Sequence, residues 1–293
     1  MKLPSVNIKE LLEAGVHLGH KTFRWNPKMS KFIFGSKNSI HIIDLVQTLE
    51  MANSAFVEIH KCIAAGGKML FVSTKKQASE TVAKLAKDTD QFYVNHRWLG
   101  GMLTNWKTIS NSISRYKKLT IDLQKENTGF TKKENLKMGI QRDKLERSLG
   151  GIAEMKKIPN MIFIIDTNVE DLAVKEAFKL KIPIVAIVDT NSDPTGIDFP
   201  IPGNDDARRA ISLYCELIKQ TILDAQKHVP QEIELNLNKK PKDEKVLDIK
   251  DSKKETPNKK EVSIAKETKT DVVKKASKSF FSKVKSLASK KEK

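Results

Sequence analysis

Residues 161–188 read MIFIIDTNVEDLAVKEAFKLKIPIVAIV. Two continuous apolar runs, Met161 to Ile165 and Ile184 to Val188, enclose Glu170 to Leu180, where apolar residues recur at helical spacing. Runs of about five residues that are apolar at every position suit strands buried on both faces, which is how strands of a helix-covered parallel sheet read. The stretch is predicted as β-α-β, and it sets the fold class as α/β.

The alternation continues on both sides. Met69 to Val72 is a third apolar run, and Gly66-Gly67 before it reads as the turn from a helix end into a strand. Leu45, Leu49, Ala52, Phe56, Ile59 and Ile63 recur at steps of four and three, which puts all six on one helical face. Lys76 to Lys87 is a shorter pattern of the same kind. Asp205 to Val229 repeats the spacing through Ala207, Ile211, Tyr214, Ile218 and Ile222, with Pro230 as a stop.

Two segments depart from this pattern. Phe32 to Phe34 and Ile40 to Ile43, around a polar turn at Gly35 to Ser39, are predicted as a β-hairpin. Asn105 to Lys157 is too long for one crossover helix. It carries one apolar stripe at Ile109, Ile113, Tyr116, Leu119 and Leu123 and another at Leu145, Leu149 and Ile152, which predicts an αα-hairpin with Asn127-Thr128-Gly129 near its turn. The expected organisation is an α/β core over 1–104 and 158–229, an inserted coiled-coil hairpin over 105–157, and a Lys-rich disordered extension over 230–293. The extension has no aromatic residue before Phe280 and too little apolar surface to offset its ordering entropy. Within it, Val273, Ala276, Phe280, Val284 and Leu287 share one helical face beside several lysines. That stretch reads either as a disordered end or as a basic helix that folds on RNA or an acidic partner.

The chain has 293 residues, 39% of them hydrophobic, enough to supply a core, and 53 Lys plus Arg against 36 Asp plus Glu leave a net charge of +17. An anionic partner is implied. The extension carries +8 of that surplus and the first 229 residues +9, so about half belongs to the part that folds. Two cysteines, Cys62 and Cys215, without a CxxC partner, offer neither a disulfide framework nor a four-cysteine zinc site and are expected as buried thiols. Pro4 and Glu10 interrupt any signal-like apolar stretch, and no segment has the roughly twenty apolar residues of a membrane span, so an intracellular soluble protein is expected.

A search for enzyme chemistry finds no GxGxxG, no GxxxxGK[ST] and no GxSxG. The most enzyme-like residues are Asp166, Asp189 and Asp193 at strand ends, with Asn204-Asp205-Asp206 following. Carboxylates there suit a metal-dependent or nucleotide hydrolase. They equally suit turn closure and helix capping, or a protein-docking face. His17 and His20, three residues apart, with His41 as a possible third ligand, are candidate metal ligands on spacing alone.

The nucleic-acid signal is stronger. From His17 to Ile43 there are five basic residues, Lys21, Arg24, Lys28, Lys31 and Lys37, and no acid, with His20, Phe23, Trp25 and Asn26 interleaved. Cations that pair with phosphates, with flat rings and an amide that meet bases or riboses, are the mixture RNA recognition uses. It returns at Tyr93-Val94-Asn95-His96-Arg97-Trp98, ahead of Gly100-Gly101. Trp25, Phe32 and Trp98 have a second reading as plugs of the core beneath loops. Lys107 to Lys157 adds 13 basic against 6 acidic residues, a surplus that a solvated coiled coil does not need but an arm lying along phosphates does.

His17-Leu18-Gly19-His20 with Arg24-Trp25-Asn26-Pro27-Lys28-Met29, then Ile42-Ile43-Asp44-Leu45, Ser73-Thr74-Lys75-Lys76, Asn95 to Asn105 and Asp189 to Asp206, resemble the S-two family of ribosomal proteins in its bacterial or organellar form, in order from about Val6 to Val229. The resemblance implies a flavodoxin-like parallel sheet with a coiled-coil hairpin inserted after the Asn105 region. It implies a non-enzymatic, ribosome-bound constituent of the small subunit in the cytoplasm, between head and body. Its expected partners are small-subunit ribosomal RNA, neighbouring small-subunit proteins and S-one, the largest of them, with no membrane, cofactor or small-molecule substrate. Lys21, Arg24, Lys28, Lys31, Lys75, Lys76 and Arg97 are expected to pair with phosphates, with Trp25 and Trp98 beside them. The extension from Pro230 departs from the family core.

Overall fold

In the computed structural model the described residues are 4, 6–124 and 131–228. The elements run in chain order α1 (Ile8–Ala14), β1 (Leu18–Lys21), β2 (Ile33–Lys37), β3 (Ile40–Ile43), α2 (Leu45–Ala64), β4 (Met69–Val72), α3 (Lys76–Asp88), β5 (Phe92–Val94), α4 (Trp106–Gln124), α5 (Lys132–Leu149), β6 (Met161–Ile165), α6 (Asp171–Leu180), β7 (Ile184–Val188), β8 (Phe199–Pro202) and α7 (Arg208–Gln226). β4 to β8 form a five-stranded parallel sheet in the order β5-β4-β6-β7-β8. Within that sheet the order is second, first, third, fourth, fifth, consistent with a flavodoxin-like fold.

Every residue of β4, β6 and β7 is buried, as their unbroken apolar runs require. Because side chains alternate between faces, Phe71, Phe163, Val185 and Ile187 enter one core with α2, α3 and α7. Leu70, Ile162, Ile164 and Ala186 enter a second with α6 and the roots of α4 and α5. Phe71 is in register with Phe163, their rings edge-on at 5.7 Å. On α2 the predicted stripe is the buried one: Leu45, Phe56, Ile59 and Ile63 are covered, with Leu49 and Ala52 partly so.

Two strands lie where none was expected. β5 falls in the Tyr93-Val94 stretch, and β8 spells Phe199-Pro200-Ile201-Pro202. Proline lacks the amide donor a central strand needs, but β8 is at the sheet edge and pairs with β7 alone. The predicted hairpin gains a third strand, forming an antiparallel sheet in the order β1-β3-β2. Its turn is shorter than expected: β2 runs through Gly35 to Lys37, and Asn38 and Ser39, with φ of 53° and 60°, make the two-residue left-handed turn whose twist suits antiparallel strands.

α4 and α5 pack against each other. Ile109, Ile113 and Leu149 at their roots are buried in the second core, whereas Ile121, Leu136 and Ile140 farther out are exposed. Thr131 and Glu134 close the start of α5 as a capping box. The expected turn at Asn127-Thr128-Gly129 and the 230–293 extension lie outside the described residues. Cys215 is buried and Cys62 half-buried, both as free thiols. No described helix is long and apolar enough to cross a membrane.

Candidate nucleic-acid interface

The basic segment His17 to Ile43 builds the small sheet, which sits over the carboxyl ends of β7 and β8. The Asn26 amide donates to the Thr190 carbonyl at 2.8 Å, the His20 amide to Thr190 Oγ1 at 2.9 Å, and the Asn204 amide to the Val16 carbonyl at 3.1 Å. Gly19 permits this approach, because a Cβ there would lie 2.6 Å from Thr190 Cγ2 and 2.9 Å from Oγ1. Met29 and Phe32 are buried in the second core. Lys21, Phe23, Arg24, Trp25, Lys28 and Lys31 are left on the exposed side.

That side has the predicted mixture of side chains. Phe23 is 73% exposed, with the Arg24 guanidinium 5.5 Å from its ring centre. Trp25, 39% exposed, tilts against His41 with ring centres 5.3 Å apart. The Lys31 ammonium lies 4.6 Å from the centre of the Phe32 ring. Asn26, expected as a base-reading amide, closes its own turn by accepting the Lys28 amide at 3.0 Å.

Beneath this layer lie the strand-end carboxylates. Lys75 leaves the end of β4, beside β6, where the sheet order reverses. Its Nζ lies 2.9 Å from Asp166 Oδ2, 2.9 Å from Asp205 Oδ1 and 2.7 Å from Asp206 Oδ1. Burial favours loss of the Lys75 proton, but the carboxylates outweigh it and raise its pKa further. Lys75, predicted to meet phosphate, is therefore the internal counter-ion of the acids, with its side chain 15% exposed.

His20 completes the cluster. Its Nδ1 lies 2.9 Å from Asp189 Oδ2 and its Nε2 3.5 Å from Asp206 Oδ2. The Asp189 hydrogen bond raises the His20 pKa, against the opposing effect of burial. Asp205 is fully buried; burial, then the charges of Asp189 and Asp166, push its carboxyl up to about 7 against the pull of Lys75. His20, Asp189 and Asp205 offer ligand atoms within 4.8 Å of one another, but the Lys75 ammonium already lies against Asp205.

The three acids of the hydrolase reading have structural work. Asp166 accepts the amides of Asn168 and Val169 at 3.0 and 3.2 Å, Asp189 holds His20, and Asp193 takes Lys28 Nζ at 2.7 Å. Burial raises the Asp193 carboxyl, and hydrogen bonds from Lys28 and Thr195 more than reverse this, lowering it to about 2. Lys28 is thus already paired, at an exposed site.

Arg97 and Trp98 are neighbours with opposite placements. Arg97 is exposed, while Trp98 is 7% exposed and donates its indole N–H to Glu176 Oε1 at 3.2 Å. Glu176, on α6, also accepts the amides of Gly101, Leu103 and Thr104 at 2.7, 2.9 and 3.1 Å. Burial pushes its carboxyl up, but these hydrogen bonds prevail and hold it below the ordinary range. Trp98 is a packing residue of the second core, which resolves its two readings. Glu176 itself was missed in the sequence; the signal available was Gly100-Gly101, a tight loop whose amides need an acceptor.

Lys21, Arg24, Lys31, Lys76 and Arg97 are exposed and have no acidic partner among the described residues. Among the described residues, His17, His20 and His41 do not together form a group whose ligand atoms lie close enough to share a metal. His20 joins the acids, and both ring nitrogens of His41 are buried without a hydrogen-bond partner.

Residues 11–225 match the family model described as Ribosomal protein S2. The small ribosomal subunit protein uS2 of Parvibaculum lavamentivorans is 57% identical over 224 residues, 76% of this chain and 88% of that one. The proteins of the same name from Agrobacterium fabrum and Sinorhizobium medicae are 57% and 56% identical over the same length and shares. The matched span runs from α1 through nearly all of α7 and so takes in both sheets, the acidic cluster and the basic layer above it. This chain belongs to the ribosomal protein S2 family.

Proposed function

We propose that the chain is a structural constituent of the small ribosomal subunit that binds small-subunit ribosomal RNA between head and body and helps to dock ribosomal protein S-one. The observation that carries this reading is the set of five exposed cations, Lys21, Arg24, Lys31, Lys76 and Arg97, without acidic partners among the described residues, on a scaffold whose buried strand-end acids Asp166 and Asp205 are paired internally with Lys75. Trp25 and Phe23 add exposed rings for bases or riboses. The α4–α5 pair acts as a coiled-coil hairpin insertion over 105–157, and its surplus of basic residues follows phosphates. The α/β core over 1–104 and 158–229 holds the other cations in a fixed array. The role is non-enzymatic and ribosome-bound in the cytoplasm, without cofactor or small-molecule substrate.

Each phosphate neutralised steepens the salt dependence of RNA binding by roughly 0.7 to 0.9 log units per log unit of salt. The triple variant Arg24→Ala, Lys31→Ala, Arg97→Ala is expected to flatten that slope by about 2 units and to reduce incorporation into small subunits. An unchanged slope together with unchanged incorporation overturns the assignment. A hydrolase using Asp166, Asp189 and Asp193 instead predicts thermal stabilisation by a nucleotide with Mg²⁺, which this reading does not. For S-one, reversing the exposed Asp193 and Asp206 is expected to weaken protein docking while sparing RNA.

A further inference from the structure

At the end of α2 remote from the basic layer, three side chains from distant parts of the chain converge. His60 Nε2, on α2, lies 3.3 Å from Oδ2 of Asp224 on α7, and His228 Nε2, just past the end of α7, lies 3.9 Å from the same oxygen. His60 is 7% exposed, and its Nε2 makes no hydrogen bond despite that short separation. The three ligand atoms lie within 4.8 Å of one another, and a buried ring nitrogen close to a carboxylate oxygen yet out of line for a hydrogen bond to it suits two ligands of one ion.

We propose that His60, Asp224 and His228 form a binding site for a divalent cation of the zinc class. Zinc bonds of about 2.0 to 2.2 Å to imidazole nitrogen and carboxylate oxygen, arranged tetrahedrally, set neighbouring ligand atoms about 3.3 to 3.6 Å apart. The His60–Asp224 separation falls in that range and the His228–Asp224 separation is a few tenths of an ångström wider, a difference the exposed His228 closes by a small side-chain movement. Two imidazoles with one carboxylate suit zinc and its transition-metal neighbours, whereas calcium and magnesium favour oxygen-only sets.

Asp224 and His228 are four apart, one turn on one face of the helix end, and His60 comes from a helix packed against it. Metal would therefore tie α2 to α7, leaving a fourth coordination position on the solvent side, where the His228 side chain is 53% exposed. The site lies away from the cations proposed to meet RNA and would be occupied independently of them.

The test uses the full-length chain, stripped by a chelator and titrated separately with Zn²⁺ and Co²⁺. One tightly bound equivalent is expected, with the visible absorption of four-coordinate cobalt. His228→Ala and Asp224→Asn are expected to weaken that equivalent by more than the 10- to 100-fold typical of outer-shell partners, while His20→Asn leaves it in place. His60 is packed in the core, so the exposed His228→Ala carries the result, its fold checked by circular dichroism. Absence of a bound equivalent overturns the proposal. So does an equivalent that survives both His228→Ala and Asp224→Asn, or one that disappears in His20→Asn.

Discussion

The small sheet and the α4–α5 pair both carry a surplus of positive charge, yet they hold it in different ways. Under the small sheet lies a buried polar network: Thr190 fixes the backbone of His20 and Asn26, Asp189 holds the His20 ring, and Lys75 pairs with Asp166 and Asp205. Lys75 is held inside this arrangement and Lys28 pairs with Asp193 at its exposed edge, while Lys21, Arg24 and Lys31 are left above it. On the helical pair the charges are surface residues, such as Arg142 beside Asp143 and Arg115 reaching Gln141 at 3.3 Å. Their registry rests on helix packing that is buried only at Ile109, Ile113 and Leu149. Net charge therefore does not map available charge: the first region aims fewer cations more firmly than its composition implies.

The largest expected effect tests that contrast directly. Lys75→Met keeps the length of the side chain but leaves Asp166 and Asp205 buried without their cation, a situation that costs about 3 to 5 kcal/mol when one partner of a buried pair is removed. Lys31→Met removes an exposed cation and is expected to change stability by less than about 0.5 kcal/mol. Urea denaturation at neutral pH measures both. Equal losses would mean that the acids are not held by Lys75 and that the two classes of cation are not distinct.

A smaller effect follows from the protons of the same cluster. The Asp189 hydrogen bond raises the folded pKa of His20, so its contribution is complete below the unfolded value of about 6.5 and is lost as pH rises through the folded value. Asp205 acts in the same sense: its carboxyl at about 7 in the fold, against an ordinary 3.8, favours folding where it is protonated, an advantage that fades as pH approaches 7. Stability is thus expected to fall as pH rises from about 4 through 7, where Asp205 titrates, and further above about pH 6.5, where His20 does, with the second part of the decline less steep in His20→Asn. A parallel decline in the two proteins would show that the His20–Asp189 bond does not carry the linkage. The α4–α5 pair has no corresponding buried ring, and charge substitutions there are expected to leave this profile unchanged.

Much of the fold was legible because burial on both faces leaves a plain mark. Met161 to Ile165 and Ile184 to Val188 have no polar residue to mislead, and the α2 stripe predicts its buried face. β5 and β8 were illegible for local reasons, since one is three residues long and the other contains two prolines that only an edge position tolerates. The site was legible in composition but not in availability. Lys75 and Lys76 are the same residue type side by side, yet one is enclosed by carboxylates and the other exposed. The difference depends on Asp166, Asp205 and Asp206, at least ninety positions away in the chain, which no local pattern reports. Trp98 is likewise assigned to the core by Glu176, which in the sequence is one more polar residue on a helix.

The smallest expected effect concerns position and leaves stability almost untouched. If the buried network gives the small sheet its registry, a cation there is not transferable: Arg24→Ala combined with Ser30→Lys keeps the net charge but is expected to lose roughly 0.7 to 0.9 units of salt slope in RNA binding. On the helical pair, Lys117→Ala combined with Ser114→Lys moves a charge by about one turn along an exposed face and is expected to leave the slope unchanged. All four positions are exposed, so neither double variant should shift stability by more than about 0.5 kcal/mol, and the slope reports placement alone. A slope that survives relocation in both regions would mean that the network beneath the small sheet supports the fold without aiming its charge. A slope lost in both would give the helical pair a registry of its own.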